Sequence, residues 1–411
     1  MKPIVSIAKN KDIKKAVKKA LNRINIPDLN GKNVLLKPNV GRETDPKQAI
    51  NTNPLVVEAV FEFLEEKYDA QIFLGDSPII MTDSKKAFKQ SGFERLMEEK
   101  KITWLNLDEK KPKTLPIKDG ILLKKIRVTG YWEEFDYIIS IPVLKMHMHT
   151  GATLSFKNCK GLIYKRDKIK LHHLEAIPLI KKMREEIPKV KELDVAIADL
   201  YQVIKPDLAV IDASYVIGGM GPSAGEKTKL DTIIASDNFL AADIVALALT
   251  QPKWTLKDVP HLYLISKEIK KNDDNSFFTS VNDIQNNPKD FTSFVHEIAG
   301  PPDTVTIKYP NVILYSKNSC SSCVSTVSLF LKNNKDLIDK NFTKENPLRL
   351  VIGTGNKDIK VYEDTFLVGN CTMNLRDKNG IFIRGCPPVQ SVLLKNVSEY
   401  LSQLEKDSEG N

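Results

Sequence analysis

Four of the five cysteines lie in the last quarter of the chain, as Cys320-x2-Cys323, then Cys371, then Cys386 followed by Pro387 and Pro388. Each site follows an apolar run that ends in polar or small residues: NVILYSKNSC, FLVGNC and IFIRGC. A strand ending in a turn presents its next side chains at one edge of a sheet, so three such loops can bring four thiolates together. Four convergent thiolates bind a [4Fe–4S] cluster or a zinc ion. Cys320 and Cys323 fall at a predicted helix start, where the helix dipole favours negative charge. A zinc ribbon closes with a second tight CxxC, whereas Cys371 and Cys386 are separated by 14 residues. A Cys-Pro step is common at the last ligand of iron–sulfur sites, and proline stiffens the turn that presents the sulfur. The expected cofactor is a [4Fe–4S] cluster on Cys320, Cys323, Cys371 and Cys386, with Zn2+ as the alternative. Cys159, alone in SFKNCKG, reads as a small buried hydrophobe, with a redox-active thiol or extra ligand as its rival.

A second set of polar residues stands where predicted strands of the first half end. VLLKPN delivers Lys37 and Asn39, IFLGDSP delivers Asp76 and Ser77, and YIISIPVLKMHMH delivers Lys145, His147 and His149. LAVIDASYVIGGMGPSAGE delivers Asp212 and then a glycine-rich loop through Gly218, Gly219 and Gly221. Ligands of open α/β sheets bind outside the carboxyl ends of the strands. Lys145, His147, His149 and Asp212 are the candidate catalytic residues. Two imidazoles alternating on an extended chain share one face and suit proton transfer or metal ligation. Lys37, Asn39, Asp76, Lys157, Gly219 and Gly221 are the candidate ligand-binding residues. Their lysines favour an anionic ligand, and backbone N–H groups of the glycine loop could cradle one. That loop lacks the GxGxxG and Walker patterns, which argues against a nucleotide. His172 and His173, in KLHHLEAI, read as the start of a helix with a structural role.

The composition narrows the function classes. The formal charge of +9 comes largely from dispersed lysines. In KNKDIKKAVKKALNR the apolar Ile13, Val17, Leu21 and Ile24 form one helical stripe with lysines opposite, the pattern of a docked, solvated helix. No interleaved aromatics or known motif accompany the basic residues, so no nucleic-acid partner is expected. No apolar run approaches the roughly 18 residues that span a bilayer, and the first residues lack a secretory signal pattern. The expectation is therefore a cytoplasmic protein without membrane insertion, where reducing conditions disfavour disulfides.

At 411 residues more than one domain is expected. Strand-like runs at 3–8, 33–37, 71–75, 137–144, 208–212 and 232–235 alternate with helical patterns at 55–66, 85–100 and 239–249. The Thr52-Asn53-Pro54 step supplies a cap and a proline for the first of these helices. Such alternation predicts an α/β fold with a largely parallel sheet flanked by helices. After the polar stretch 270–290, strands at 311–315, 348–352, 365–368 and 381–383 accompany helices at 324–331 and 389–404. The predicted organisation is an N-terminal α/β domain over 1–268, a connecting segment over 269–304 and a smaller, cysteine-rich α/β domain over 305–411.

Several of these motifs, in this order, resemble a known family. VLLKPNVGRETDPKQAINTNPLVVEAVFEFL, FLGDSP, PVLKMHMHTGATLSFKNCKG, PDLAVIDASYVIGGMGPSAGE and AADIVALAL are similar to the family called domain of unknown function 362. The resemblance runs over about residues 33–249 and implies an association with iron–sulfur clusters, though the family supplies no substrate. The ferredoxin run CxxCxxCxxxCP is absent. The C-terminal cysteine pattern instead resembles the proximal-cluster domain of nickel–iron hydrogenase small subunits and the related complex I subunit. The KPN, KMHMHTG and KNCKG segments are more distantly similar to nickel-dependent lactate racemase-like proteins, and fold similarity does not transfer chemistry. The functional expectation is an iron–sulfur protein in electron transfer, or an oxidoreductase, acting on an anionic small molecule or with a redox partner protein. The alternatives are a zinc-stabilised lyase, isomerase or hydrolase using the Lys/His/Asp strand ends, or a non-enzymatic metal or cluster assembly protein.

Overall fold

The computed structural model describes residues 2–79, 82–100, 102–165, 167–171, 174, 177–272, 278–302 and 309–409. His172 and His173 lie outside the described residues. The chain divides into two compact units, residues 1–219 with 225–301, and residues 302–411 with 220–224. Each has its own sheet.

The strands of the first unit are β1 (Ile4–Lys9), β2 (Asn33–Pro38), β3 (Gln71–Asp76), β4 (Thr103–Asn106), β5 (Lys113–Pro116), β6 (Lys125–Val128), β7 (Tyr137–Ile141), β8 (Val143–His147), β9 (Gly151–Thr153), β10 (Leu208–Gly218), β11 (Glu226–Ser236) and β12 (Gln285–Asn287). Ten of them form one sheet, ordered β12-β1-β11-β10-β7-β2-β3-β4, with β8 pairing β10 and β9. The run from β10 to β4 is parallel, whereas β11 is antiparallel to both neighbours. Both faces are covered. Val34 and Leu36 of β2 pack on one side with the helix Pro54–Lys67, and Leu35 packs on the other with Phe156, Cys159 and the helix Phe239–Thr250. Strand side chains alternate in this way because of the two-residue period. Lys37 therefore shares the face of Leu35.

The fold is the expected mixed α/β architecture with a large, mostly parallel sheet and a smaller C-terminal one. It differs in four local ways. The stretch read as one strand over 137–144 is two, β7 and β8, interrupted at Pro142, which has no N–H for the ladder. The helix read over 85–100 is two, Ser84–Gln90 and Glu94–Lys100, broken where Gly92 takes φ +79°. β10 does not stop at Asp212 but runs to Gly218 and returns as β11, with a register shift between Ala213 and Tyr215. The polar stretch after 270 contributes β12, which pairs in parallel with β1.

The second unit holds β13 (Val312–Tyr315), β14 (Leu348–Val351), β15 (Thr365–Val368) and β16 (Ile381–Ile383), all parallel and in sequence order. The helices Ser321–Asn333 and Gln390–Glu409 follow β13 and β16. Parallel order places every strand-to-helix loop at the same, carboxyl edge.

Candidate functional site

At the carboxyl ends of β2 and β3, and along β8 and β10 beside them, the first unit buries a polar cluster. Lys37, 1% exposed, donates to Asp76 Oδ1 at 2.7 Å, Pro38 O at 2.9 Å and Asn158 Oδ1 at 3.2 Å. Asp76 also accepts from the backbone N–H groups of Val40 and Ser77. Asn158 donates in turn to Lys37 O and Ser140 Oγ. The pair thus has its remaining hydrogen-bonding capacity largely satisfied, the condition for a buried ion pair to persist. Gly161 closes over it: a Cβ there would stand 2.6 Å from Lys37 Nζ and nearer still to Asp76 Oδ1.

Lys145, on β8, donates to Asn39 Oδ1 and to Ile50 O at 2.7 Å. Burial pulls its amine down to about 7, and the nearby positive charges of Arg42 and Lys37 add to the effect while Asp76 and Asp212 oppose it. Asp212 is buried and accepts from Asn53 N, Ser214 N and Ser214 Oγ; burial pushes its carboxyl up. Asn53 caps the helix Pro54–Lys67 with its side chain while its own N–H serves Asp212. The capping motif visible in the sequence therefore also anchors a site residue.

His147 Nδ1 accepts from the N–H groups of His149 and Thr150, which leaves Nε2 as its protonated nitrogen when neutral. The two rings lie 6.3 Å apart. His149 is held down to about 4 by burial and by Lys191 and Lys157, and its Nε2 is buried without a hydrogen-bond partner. Lys157, 7% exposed, has its Nζ 3.3 Å from Thr153 Oγ1, and burial holds its amine well below the ordinary value.

The structure thus gathers Lys37 with Asp76, and places Lys145 within electrostatic reach of Lys37, Asp76, Asp212 and Lys157. Gly219 and Gly221 are set differently. They lie in the loop joining β10 to β11, where Gly219 (φ +64°) donates to Ala299 O. This is a hairpin turn and not a strand-to-helix anion loop. Asn158, Gly161, Asp194 and His261 escaped the sequence reading. Asn158 and Gly161 flank the noted Cys159, whereas Asp194 and His261 sit in apolar helical patterns that mark them only as core. Cys159 is buried and its thiol is pushed up to about 12, matching the reading as a small hydrophobe. An open groove of about 760 Å³ lined by Phe61, Tyr68, Gln71, Lys100 and Thr103 lies at the amino ends of β3 and β4 and includes none of these groups.

The second unit carries the four other cysteines on the carboxyl-edge loops of its sheet. Cys320 is the N-cap of the helix after β13, Cys323 lies in its first turn, and Cys371 and Cys386 each lie three residues beyond β15 and β16. Backbone pairing ties the last two loops: Gly369 N donates to Ile383 O, Asn370 N to Gly385 O, and Asn370 Oδ1 accepts from Gly385 N. Gly369 takes φ +94°, and a Cβ there would touch Cys323 Sγ at 3.3 Å. Cys323 is buried, and the other three are partly exposed. The thiol of Cys323 is driven up by a hydrogen bond with Cys320, by burial and by Cys371 and Cys386; Cys371 is raised to about 11 by burial, Cys320 and Cys386. Each of the four thiols therefore lies within electrostatic reach of the others. Among the described residues, no group of three or more His, Cys, Asp or Glu side chains stands so as to hold a metal ion.

Together these features define an α/β protein with a buried cationic cluster on one sheet edge and a four-thiol edge on a second, smaller sheet. The chain belongs to the family described as a domain of unknown function (DUF362), which matches residues 34–248, just over half of its length. A curated relative, the thylakoid-associated protein sll1697 of Synechocystis, is 26% identical over 221 residues, covering 54% of this chain and 64% of the relative. The chain thus spans less than two thirds of that relative's length. Among solved structures, the lactate racemase apoprotein of Thermoanaerobacterium thermosaccharolyticum aligns at 15% identity and TM-score 0.37 over 57% of this chain and 54% of its own. A Thermotoga maritima protein aligns at 16% identity and TM-score 0.35, over 59% and 60%. No helix among the described residues is long and apolar enough to cross a membrane.

Proposed function

We propose that the protein is an iron–sulfur protein of electron transfer or redox catalysis, with Cys320, Cys323, Cys371 and Cys386 holding a [4Fe–4S] cluster. The observation that carries this reading is the placement of all four thiols on loops at one carboxyl edge of one parallel sheet. The donor set fits the group. A tetrahedral zinc with bonds of about 2.3 Å needs its four sulfurs drawn to about 3.8 Å from one another. A four-iron cluster caps each thiolate on a different iron, so its sulfurs stand wider apart. The 14-residue gap between Cys371 and Cys386, in place of a second tight CxxC, favours the second arrangement. The bound cluster would supply a one-electron couple. The protein's own residues orient it: Gly369 leaves room beside Cys323, and Asn370 fixes the Cys371 loop to the Cys386 loop.

Exposed Met373 and Val389 next to those loops, with exposed Lys317 and Arg384, offer a mixed apolar and cationic rim to an acidic redox partner. The buried cluster around Lys37 and Lys145 would receive an anionic small molecule. Purification without oxygen, followed by an absorption spectrum and iron, sulfide and zinc analysis, tests the reading. The expected result is a brown protein with roughly four irons and four sulfides per chain, and lower iron in each single Cys→Ser variant. A colourless protein with stoichiometric zinc, or full iron occupancy in all four variants, overturns it. Zinc would shift the function to acid–base chemistry at Lys145, His147, His149 and Asp212.

A further inference from the structure

The four thiols of the second unit are not equivalent. Cys320 is the N-cap of the helix Ser321–Asn333, and Cys323 is its third residue. Side chains at these two positions meet across the first turn, as they do in a capping box. Cys320 makes no side-chain cap hydrogen bond; the Cys323 thiol is instead hydrogen-bonded to it. Cys371 and Cys386 come from two other loops and act on this pair, and on each other, through charge. Exposure separates the paired thiols. Cys320 is partly exposed, whereas Cys323 is 2% exposed and lies behind it. A reagent arriving from solvent therefore meets Cys320 first.

The loop that presents Cys320 is braced by the loop after β14, which carries no cysteine. Lys317 O accepts from Gly355 N at 3.0 Å, Lys317 N donates to Asn356 Oδ1 at 3.3 Å, and Asn318 O accepts from Thr354 N at 3.4 Å. Gly353 takes φ +88°, and a Cβ there would stand 2.6 Å from both Lys317 O and Ser319 N. Cys320 is thus held at the surface by a fixed backbone. The N–H groups of the first helical turn favour negative charge on its sulfur. Only Ser321 and Ser322 separate the two cysteines, so closing a bond between them costs little chain entropy. An exposed thiol at a helix start, with a second thiol buried three residues on, is the arrangement of a dithiol that exchanges with disulfides.

We infer that Cys320 and Cys323 form a thiol–disulfide exchange pair, Cys320 attacking and Cys323 resolving, which closes to a disulfide whenever the site holds no metal group. The oxidant is a low-molecular-weight disulfide. Cys320 gives its proton to solvent, and its thiolate attacks one sulfur of that disulfide. The first leaving thiolate departs and takes up a proton, which leaves a mixed disulfide on Cys320. Cys323 then loses its proton and attacks Cys320 Sγ, expelling the second thiolate, which is protonated in turn. The sum is two protein thiols plus one disulfide giving one protein disulfide plus two small thiols. The two cysteines are oxidised and the small disulfide is reduced. A dithiol reductant drives the reverse reaction. Closure removes two of the four thiolates, so a closed pair and a bound cluster exclude one another. That consequence rests on the cluster proposed above; the exchange itself does not.

The experiment is disulfide mapping on the full chain. The protein is stripped of metal with a chelator under reducing conditions, freed of reductant and incubated without oxygen with glutathione disulfide. It is then alkylated, cut with trypsin and mapped by mass spectrometry. Cleavage after Lys317 and Lys332 releases both cysteines in one peptide, 318–332, while Cys371 and Cys386 fall in 361–376 and 385–395. The expected result is peptide 318–332 lighter by two hydrogens and not alkylated, with the other two peptides alkylated. Cys323→Ser should stop the reaction at a glutathione adduct on Cys320. Full alkylation of 318–332, or a disulfide joining 361–376 to 385–395, overturns the inference. These results are read on the wild-type chain, so the test stands even where the variant fails to fold. The closed sample and one reopened with dithiothreitol are then given ferrous iron and sulfide. Iron uptake should be lost in the first and restored in the second. Equal uptake by both overturns the mutual exclusion, and no uptake by the reopened sample counts against the cluster while leaving the disulfide map in force.

Discussion

At the scale of single residues, the first unit has placed several ionisable side chains where water cannot reach them, and each arrangement has a different consequence. Lys37 and Asp76 form a pair whose desolvation is offset by their mutual charge and by Asn158, Val40 and Ser77. Removing one partner leaves the other charge uncompensated. Asp76→Ala should therefore destabilise the fold by about 3–5 kcal/mol, measured by urea unfolding; a loss below 1 kcal/mol would place the pair in the class of surface ion pairs and contradict its burial. Lys145 behaves oppositely. Its amine sits at about 7 in the folded chain against an ordinary 10.5. Between those values the unfolded state holds a proton that the folded state lacks, so this residue makes stability rise with pH across that window and leaves its full penalty in place below it. Lys145→Met should make the rise shallower by about 1.4 kcal/mol per pH unit. Denaturation midpoints collected from neutral to alkaline pH check this, and parallel curves for the two proteins would refute the lowered amine.

At the scale of elements, legibility followed the physics of each signal. The apolar runs of β2 and β7 and the Thr52-Asn53-Pro54 cap are local, and each appears in the structure where the pattern places it. The Cys-bearing loops were legible for the same reason: β13, β15 and β16 are short apolar runs that stop at small or polar residues. What failed was anything set by pairing across distance. Asp212 reads as a strand end because Ser214 and Gly218 look like turn residues, yet β10 continues because β11 pairs with it as far as Gly218. Pro142 was visible, but its effect required knowing that β7 hydrogen-bonds on both sides. Asp194 and His261 come from two helices, Glu192–Leu200 and Pro260–Asn272, and no spacing rule links them. A residue's neighbours across a fold leave no periodic trace in its own segment.

At the scale of the whole molecule, chemistry is assigned to two units that each have their own sheet. Under the proposed electron-transfer function the formal charge of +9 would speed encounter with an acidic donor at low salt, while the cluster proposed for the second unit would affect stability mainly where its ligands are. Metal or cluster binding that organises loops is folding free energy for those loops, and opening free energies vary from one cooperative segment to the next. The three Cys-bearing loops and the helix Ser321–Asn333 all hang on the carboxyl edge of β13 to β16. Stripping the iron with a chelator under reducing conditions should therefore accelerate amide exchange in 316–333, 369–375 and 384–390. The strands around Lys37 and Lys145 should exchange at unchanged rates. Hydrogen exchange with mass spectrometry on matched loaded and stripped samples resolves these segments. Equal loss of protection in both units would mean that the cysteines set the stability of the entire chain, and unchanged protection at the cysteine loops would mean that they hold no structural cofactor.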